Sequence, residues 1–93
     1  MTTEKFIVVC CEERDIKLLN DGKSFDYAED AFQCMIKDIL ACACENEIHF
    51  DDDEIEEIES GDFVKSGIEI NGVEAYFNLS DMNIDWKILS IKF

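Results

Sequence analysis

One long stretch with the periodicity of an α-helix lies between two regions that read as short strands, and this arrangement restricts the fold more than any other feature. From Tyr27 onward, apolar residues recur every three or four positions, and most of the residues between them are charged or polar. The apolar set is Ala28, Ala31, Phe32, Met35, Ile36, Ile39, Leu40 and Ala43. We therefore predict one amphipathic helix here, with Asp26 as its N-cap and Glu29 completing a capping box.

The region before this helix predicts a hairpin. Lys5–Glu12 is an apolar run rich in β-branched residues, which is typical of a central strand with both faces at least partly covered. Polar residues then turn the chain into a second short run, Ile16–Leu19, which ends at Asn20, Asp21 and Gly22.

The region after the helix predicts three more strands. Ile68–Ile70 and Val73–Ala75 flank Asn71-Gly72, a dipeptide that favours a two-residue type I′ hairpin turn. Leu79–Asp85 reads as a polar loop, and Trp86–Phe93 alternates as a closing strand.

The order of these elements, ββα(α)βββ, defines the expected fold class. We predict an α+β fold in which an antiparallel sheet of about four to five strands is covered on one face by the amphipathic helix. Residues 1–93 would form a single acidic domain, because the chain is short, almost half apolar and without a visible linker or repeat.

Negative charge is concentrated in one stretch, Glu45–Asp62, which we call the acidic segment. Ten of its eighteen residues are acidic, and no Lys or Arg occurs between Lys37 and Lys65, in a chain with a formal net charge of −15. Asp51, Asp52 and Asp53 can cap a helix, while Ile55 and Ile58 can anchor one side of it. We predict a short second helix at Asp53–Glu59, ended by Gly61.

Few residues of this sequence predict enzyme chemistry. The five cysteines are Cys10, Cys11, Cys34, Cys42 and Cys44, and their spacing is not that of a zinc site. No thiol is placed beside His49, the only histidine, and the acidic segment lacks the alternating ligands and glycine of a calcium-binding loop. We therefore expect no enzyme, no metal site and no cofactor.

Two features bear on location. The amino terminus has no basic segment followed by an apolar run, and no stretch approaches the roughly 20 apolar residues of a membrane span. An odd number of cysteines in irregular spacing also favours reduced thiols. We expect a cytoplasmic protein.

The acidic segment predicts an interaction surface. A dense field of one sign attracts basic proteins and repels nucleic acids and anionic membranes. On a helix, acids three or four residues apart lie about 5 to 6 Å from one another, close enough to phosphate spacings to occupy a groove rich in Lys and Arg. The predicted partner-binding residues are Glu45, Glu47, Asp51, Asp52, Asp53, Glu54, Glu56, Glu57, Glu59 and Asp62.

In length, acidity, lack of proline and small α+β plan, the chain resembles the phage-borne anti-CRISPR and anti-restriction proteins. Those proteins block host nucleases and often act as DNA mimics. The resemblance is one of composition, and since these proteins share no common motif, it assigns no residue a role. It implies an inhibitor that binds a basic nucleic-acid-binding protein or nuclease complex, without direct contact to nucleic acid or membrane.

A second interpretation needs no function for the acidic segment. The chain would be a small cytoplasmic adaptor that binds a protein partner through a sheet edge or the exposed side of its carboxyl-terminal strands, with the acidic side chains only solvating the surface. A homodimer is a further expectation, because an open sheet leaves two edges, although fifteen negative charges per chain oppose it unless the acidic faces point apart.

Overall fold

Six antiparallel strands form one sheet with two helices on one of its faces in the computed structural model, which describes residues 4–65, 67–79 and 82–92. The elements are β1 (Glu4–Glu12), β2 (Asp15–Leu18), α1 (Ala28–Glu45), α2 (Asp52–Ser60), β3 (Phe63–Lys65), β4 (Ile68–Ile70), β5 (Glu74–Leu79) and β6 (Met82–Lys92). Their order across the sheet is β2-β1-β6-β5-β4-β3, so the first and last strands of the chain pair at the centre.

This architecture confirms the α+β class, the long amphipathic helix and the first hairpin. The expected count of about four to five strands is only roughly matched by the six observed, because β3 was not predicted. That strand has only three residues, and Val64 and Lys65 are exposed, so its sequence carries too little alternation to reveal a strand. The observed order is ββααββββ.

The core lies between the helices and one face of the sheet. On the strands, alternate residues point toward the helices, and those of the central strands are the most buried. The strands contribute Val8, Cys10, Phe63, Ile68, Ile70, Ala75, Phe77, Ile84 and Trp86, and the helices contribute Ala31, Met35, Ile36, Ile39, Ala43 and Ile58.

Trp86 joins the two layers. Only 1% of its surface is exposed, and its ring meets Phe77 edge-on with 5.0 Å between ring centroids. Its indole nitrogen donates a hydrogen bond of 2.9 Å to the carboxylate of Asp38 on α1. A large apolar ring with a satisfied polar group therefore fixes α1 over the centre of the sheet.

The predicted N-cap of α1 is wrong. Tyr27, not Asp26, occupies the N-cap position, and its side chain makes no capping hydrogen bond. Asp26 instead forms an ion pair with Lys5. A tertiary contact explains the difference. Phe25 forms an isolated β-bridge with Phe6 on β1, and this bridge brings Asp26 alongside Lys5.

The β4–β5 hairpin exists, but its turn is not type I′. Neither Asn71 nor Gly72 has the positive φ that a type I′ turn requires. The Asn71 side chain accepts hydrogen bonds of 2.9 Å from the backbone N–H groups of Val73 and Glu74. This side chain stabilises a turn centred one residue later than predicted.

The predicted polar loop at Leu79–Asp85 is also wrong. Leu79 ends β5 and pairs with Met82, the first residue of β6, while residues 80 and 81, and Phe93 of the predicted closing strand, lie outside the described part of the chain. Asn83, one of the polar residues that suggested a loop, pairs across the strands with Asn78, and both side chains are exposed. Ile84 on the opposite face is buried.

One face of the sheet is not covered by any described element, and we call it the open face. The strand β1, for which both faces were expected to be at least partly covered, has half-buried Ile7, Val9 and Cys11 on this face. By the strand register, the open face consists of Lys5, Ile7, Val9, Cys11, Ile16, Leu18, Val64, Glu69, Glu74, Tyr76, Asn78, Asn83, Asp85, Lys87, Leu89 and Ile91.

Two valines test the assignment of the core. Val8→Ala should lower the free energy of unfolding by about 2 to 3 kcal/mol, because it removes two buried methyl groups and leaves a cavity. Val73→Ala, the same change at a side chain that is 61% exposed and outside the open face, should change it by less than about 0.5 kcal/mol. Urea denaturation measures both, and equal effects would contradict the assignment.

Candidate protein-interaction surface

The acidic segment forms one continuous structure at the carboxyl end of α1 and along α2. Glu45 ends α1, Glu47 lies in the connection, and Asp51 precedes α2. Asp52, Asp53, Glu54, Glu56, Glu57 and Glu59 belong to α2, and Asp62 lies between α2 and β3. All ten acids are thus near one another along the chain, and nine have exposed side chains. The tenth, Glu54, is half-buried.

Local hydrogen bonds define both ends of α2. The predicted helix at Asp53–Glu59 is confirmed and extends one residue further at each end. Asp51 and Glu54 form a capping box, with hydrogen bonds of 2.8 Å from the Glu54 N–H to the Asp51 carboxylate and 3.1 Å from the Asp51 N–H to the Glu54 carboxylate. At the other end, Gly61 has φ 75°, and the N–H of Asp62 donates to the carbonyl of Glu57.

Apolar contacts hold one side of α2 against the rest of the fold. Ile58 is fully buried and Ile55 is half-buried, as the sequence predicted for the two anchors. Before the helix, Phe50 packs edge-on against Phe63 with 5.5 Å between ring centroids. The opposite side of the helix, which includes Asp53, Glu56 and Glu57, is therefore fixed toward solvent.

Only one acid of the segment is neutralised by a described cation. Lys65 on β3 makes an ion pair of 2.9 Å with Glu54. This hydrogen bond holds the pKa of the Glu54 carboxyl below its ordinary value and raises that of the Lys65 ammonium. The other nine acids form no ion pair with any residue in 4–65, 67–79 or 82–92. Glu54 is thus a structural member of the segment, and the others keep their charge available.

Helix stability does not explain the acids at the carboxyl end of α2. Asp52, Asp53 and Glu54 lie in the first turn, where negative charge complements the helix dipole. Glu57 and Glu59 lie near the carboxyl end, where the dipole disfavours them, and neither helix has a basic residue in its last turn. Like charges three or four residues apart, such as Asp53 and Glu57, also repel one another.

A groove of about 610 Å³ lies beside the acidic segment. Its lining includes Phe25, Ile36 and Leu40, together with Gln33, Lys37 and Glu59. Apolar surface next to the exposed Glu59 carboxylate suits the aliphatic stem and charged head of a Lys or Arg side chain.

Three of the five thiols are held in their neutral form. Burial, reinforced by the charge of Asp38, raises the pKa of Cys10 to about 11. Burial is also the main cause of raised pKa values for Cys34 and Cys42. Because the thiolate is the nucleophilic form, these three cysteines are poorly suited to nucleophilic catalysis.

Two further findings concern metal ions and membranes. In the part of the chain that the structure describes, no group of three or more His, Cys, Asp or Glu side chains has the arrangement of a metal site. Neither α1 nor α2 is long and apolar enough to cross a membrane.

The sheet edges offer little backbone for pairing with another chain. The edge strands β2 and β3 have four and three residues, and short edge strands expose few unpaired N–H and C=O groups. The open face presents more surface, of which the sequence predicted only the exposed side of the carboxyl-terminal strands. The sequence does contain an indication of this face. The neighbouring apolar residues Val8-Val9 and Cys10-Cys11 of β1 place apolar side chains on both faces of that strand.

No protein-family model matches this chain, and no similar curated protein or solved structure is found.

The Lys65–Glu54 ion pair predicts a pH dependence. A carboxyl whose pKa is lowered by folding adds stability above its unfolded pKa, and that stability is lost as the pH falls through the folded pKa. Glu54→Gln should therefore be less stable than wild type above about pH 5, and the difference should shrink at lower pH.

Glu56→Gln is the matched control, because it removes one negative charge from the same helix at an exposed position without an ion pair. It should not destabilise the protein above about pH 5. Urea denaturation across the acidic pH range measures both variants. A Glu54→Gln curve that coincides with that of Glu56→Gln would contradict the prediction.

Proposed function

We propose that this protein is a non-catalytic binding module whose acidic segment occupies a basic surface of a nucleic-acid-binding protein, and thereby acts as an inhibitor that mimics nucleic acid. The observation that carries the proposal is the row of exposed carboxylates on α2 that have no ion pair among the described residues. The resemblance of the chain to acidic anti-CRISPR and anti-restriction proteins supports the same function.

The position of the charges favours a role in binding over a role in folding. Carboxylates at the carboxyl end of α2 oppose the helix dipole and repel their neighbours, so they destabilise the helix by several tenths of a kcal/mol each. Residues that lower local stability are typical of functional surfaces, where selection for binding outweighs selection for stability.

The rigidity of α2 also supports binding. A capping box, a glycine at the carboxyl end and the buried Ile58 fix the helix before any partner arrives. A preorganised surface binds with a smaller entropic cost than a disordered acidic tail. Carboxylates spaced by about 5 to 6 Å along one side of this helix would then meet Lys and Arg side chains that ordinarily contact phosphates.

Reversing the charge of Glu56, Glu57 and Glu59 to Lys tests the proposal. Glu54 is left unchanged, because its loss would break the capping box and the ion pair with Lys65. At about 1 kcal/mol per reversed charge, partner affinity should fall on the order of a hundredfold. The variant should be folded and at least as stable as wild type, because the reversed charges now suit the carboxyl end of the helix.

The measurement is affinity capture from a nuclease-treated host lysate, with elution by salt and competition by double-stranded DNA or RNA. The matched control reverses Glu12, Glu13 and Asp15, three exposed acids around the β1–β2 turn, which changes the net charge equally. Wild type should capture a partner that added nucleic acid displaces. The control variant should still capture that partner. Equal retention by both variants would show that the acidic segment is not the binding surface.

A further inference from the structure

We propose that the open face is the interface of a symmetric homodimer, in which two sheets pack face to face and the helices lie on the outside. This interface is separate from the acidic segment and does not depend on the function proposed above. It would complete a four-layer arrangement of helices, sheet, sheet and helices.

The exposure of apolar side chains points to a covered face. Of the seven large apolar side chains that are exposed among the described residues, five belong to the open face: Ile16, Leu18, Val64, Tyr76 and Leu89. Ile7, Val9, Cys11 and Ile91 on the same face are half-buried. A concentration of exposed apolar side chains on one face is typical of a protein–protein interface.

The open face carries little of the chain's negative charge. It has two lysines, Lys5 and Lys87, against three acids, Glu69, Glu74 and Asp85, so its net charge is −1 by count. The whole chain has a net charge of −15. Face-to-face packing would therefore bring together the least charged sides of two copies and place their acidic segments far apart.

The strand register makes this face complementary to itself. One row across the sheet consists of Ile16, Cys11, Asp85, Tyr76, Glu69 and Val64, and the next row consists of Leu18, Val9, Lys87 and Glu74. A two-fold axis can lie between the two sheets, run perpendicular to the strands and pass between these two rows. Such an axis would place the first row of one copy over the second row of the other copy.

The contacts that this symmetry creates are favourable. Ile16 would lie over Leu18 of the second copy, and Asp85 would lie over its Lys87. Each contact occurs twice, as a two-fold interface requires. Within a single copy, neither Asp85 nor Lys87 forms an ion pair with a described residue. Two reciprocal ion pairs would thus form near the centre of the interface.

The area of the face is that of a small interface. The six strands contain 36 residues, which at about 3.3 Å per residue and about 4.8 Å between strands give a face on the order of 570 Å². Standard interfaces bury about 800 Å² on each partner. A groove of about 390 Å³ on this face, lined by Val9, Cys11, Tyr76 and Leu89 among others, leaves room for side chains of the second sheet.

A charge exchange at the centre of the face tests the proposal. Wild type should sediment as a dimer at equilibrium. Asp85→Lys should replace each ion pair by two opposed ammonium groups and raise the dimer dissociation constant at least tenfold. This variant also lowers the net negative charge of each copy, so general repulsion between the chains would predict the opposite result. The double variant Asp85→Lys, Lys87→Asp restores the pairing and should restore the dimer.

An apolar position provides an independent variant. Leu89→Asp should be monomeric, and Val73→Asp, at an exposed apolar residue outside the open face, should remain a dimer. Circular dichroism of each variant verifies that it is folded. The proposal is overturned if wild type stays monomeric up to about 1 mM, or if folded Leu89→Asp and Asp85→Lys dimerise as wild type does. Failure of the charge exchange to restore the dimer would overturn the two-fold arrangement.

Discussion

The packing of α1 against the central strands is the interaction on which the rest of the structure depends. Trp86 provides its centre, since its ring fills the space beneath the helix and its indole N–H is satisfied by Asp38. The strands β1 and β6 that α1 covers are the two longest of the sheet and come from opposite ends of the chain. From this pair, β2 extends the sheet on one side, and β5, β4 and β3 extend it on the other. Loss of the contact with α1 would therefore expose the buried side chains of the two strands that join the halves of the sheet.

A two-layer fold of this size has one consequence for surface chemistry. The helices cover one face of the sheet, and they carry ten of the 23 acidic residues of the chain. The other face keeps apolar side chains with few charges. Because charge and apolar surface are separated in this way, the molecule has two chemically different sides, and each side suits a different class of partner.

The sequence predicts the parts of this structure that depend on local pattern. The period of Ala28–Ala43 predicted α1, and the two isoleucines with the aspartates before them predicted α2, because helix periodicity and capping are local. Tertiary contacts decided the rest. Asp26 lost its capping role to an ion pair with Lys5, and β3 formed from three residues because β4 was available beside it. The ten acids could be predicted as a cluster, whereas the selection of Glu54 for a structural role required knowledge of where Lys65 lies.

The opposite placement of the two surfaces also governs how they combine. The molecule is about 18 Å thick in its shortest dimension, so a second copy on the open face would be separated from the acidic segment by the full thickness of the fold. At physiological ionic strength the Debye length is about 8 Å, and charges on the outer sides of such a dimer would repel one another only weakly. Dimerisation would then leave both acidic segments accessible and pointing in opposite directions. A single partner with two basic sites would gain avidity only if those sites could contact the acidic segments on both outer sides of the dimer. Binding of one partner molecule to each acidic segment is the simpler arrangement.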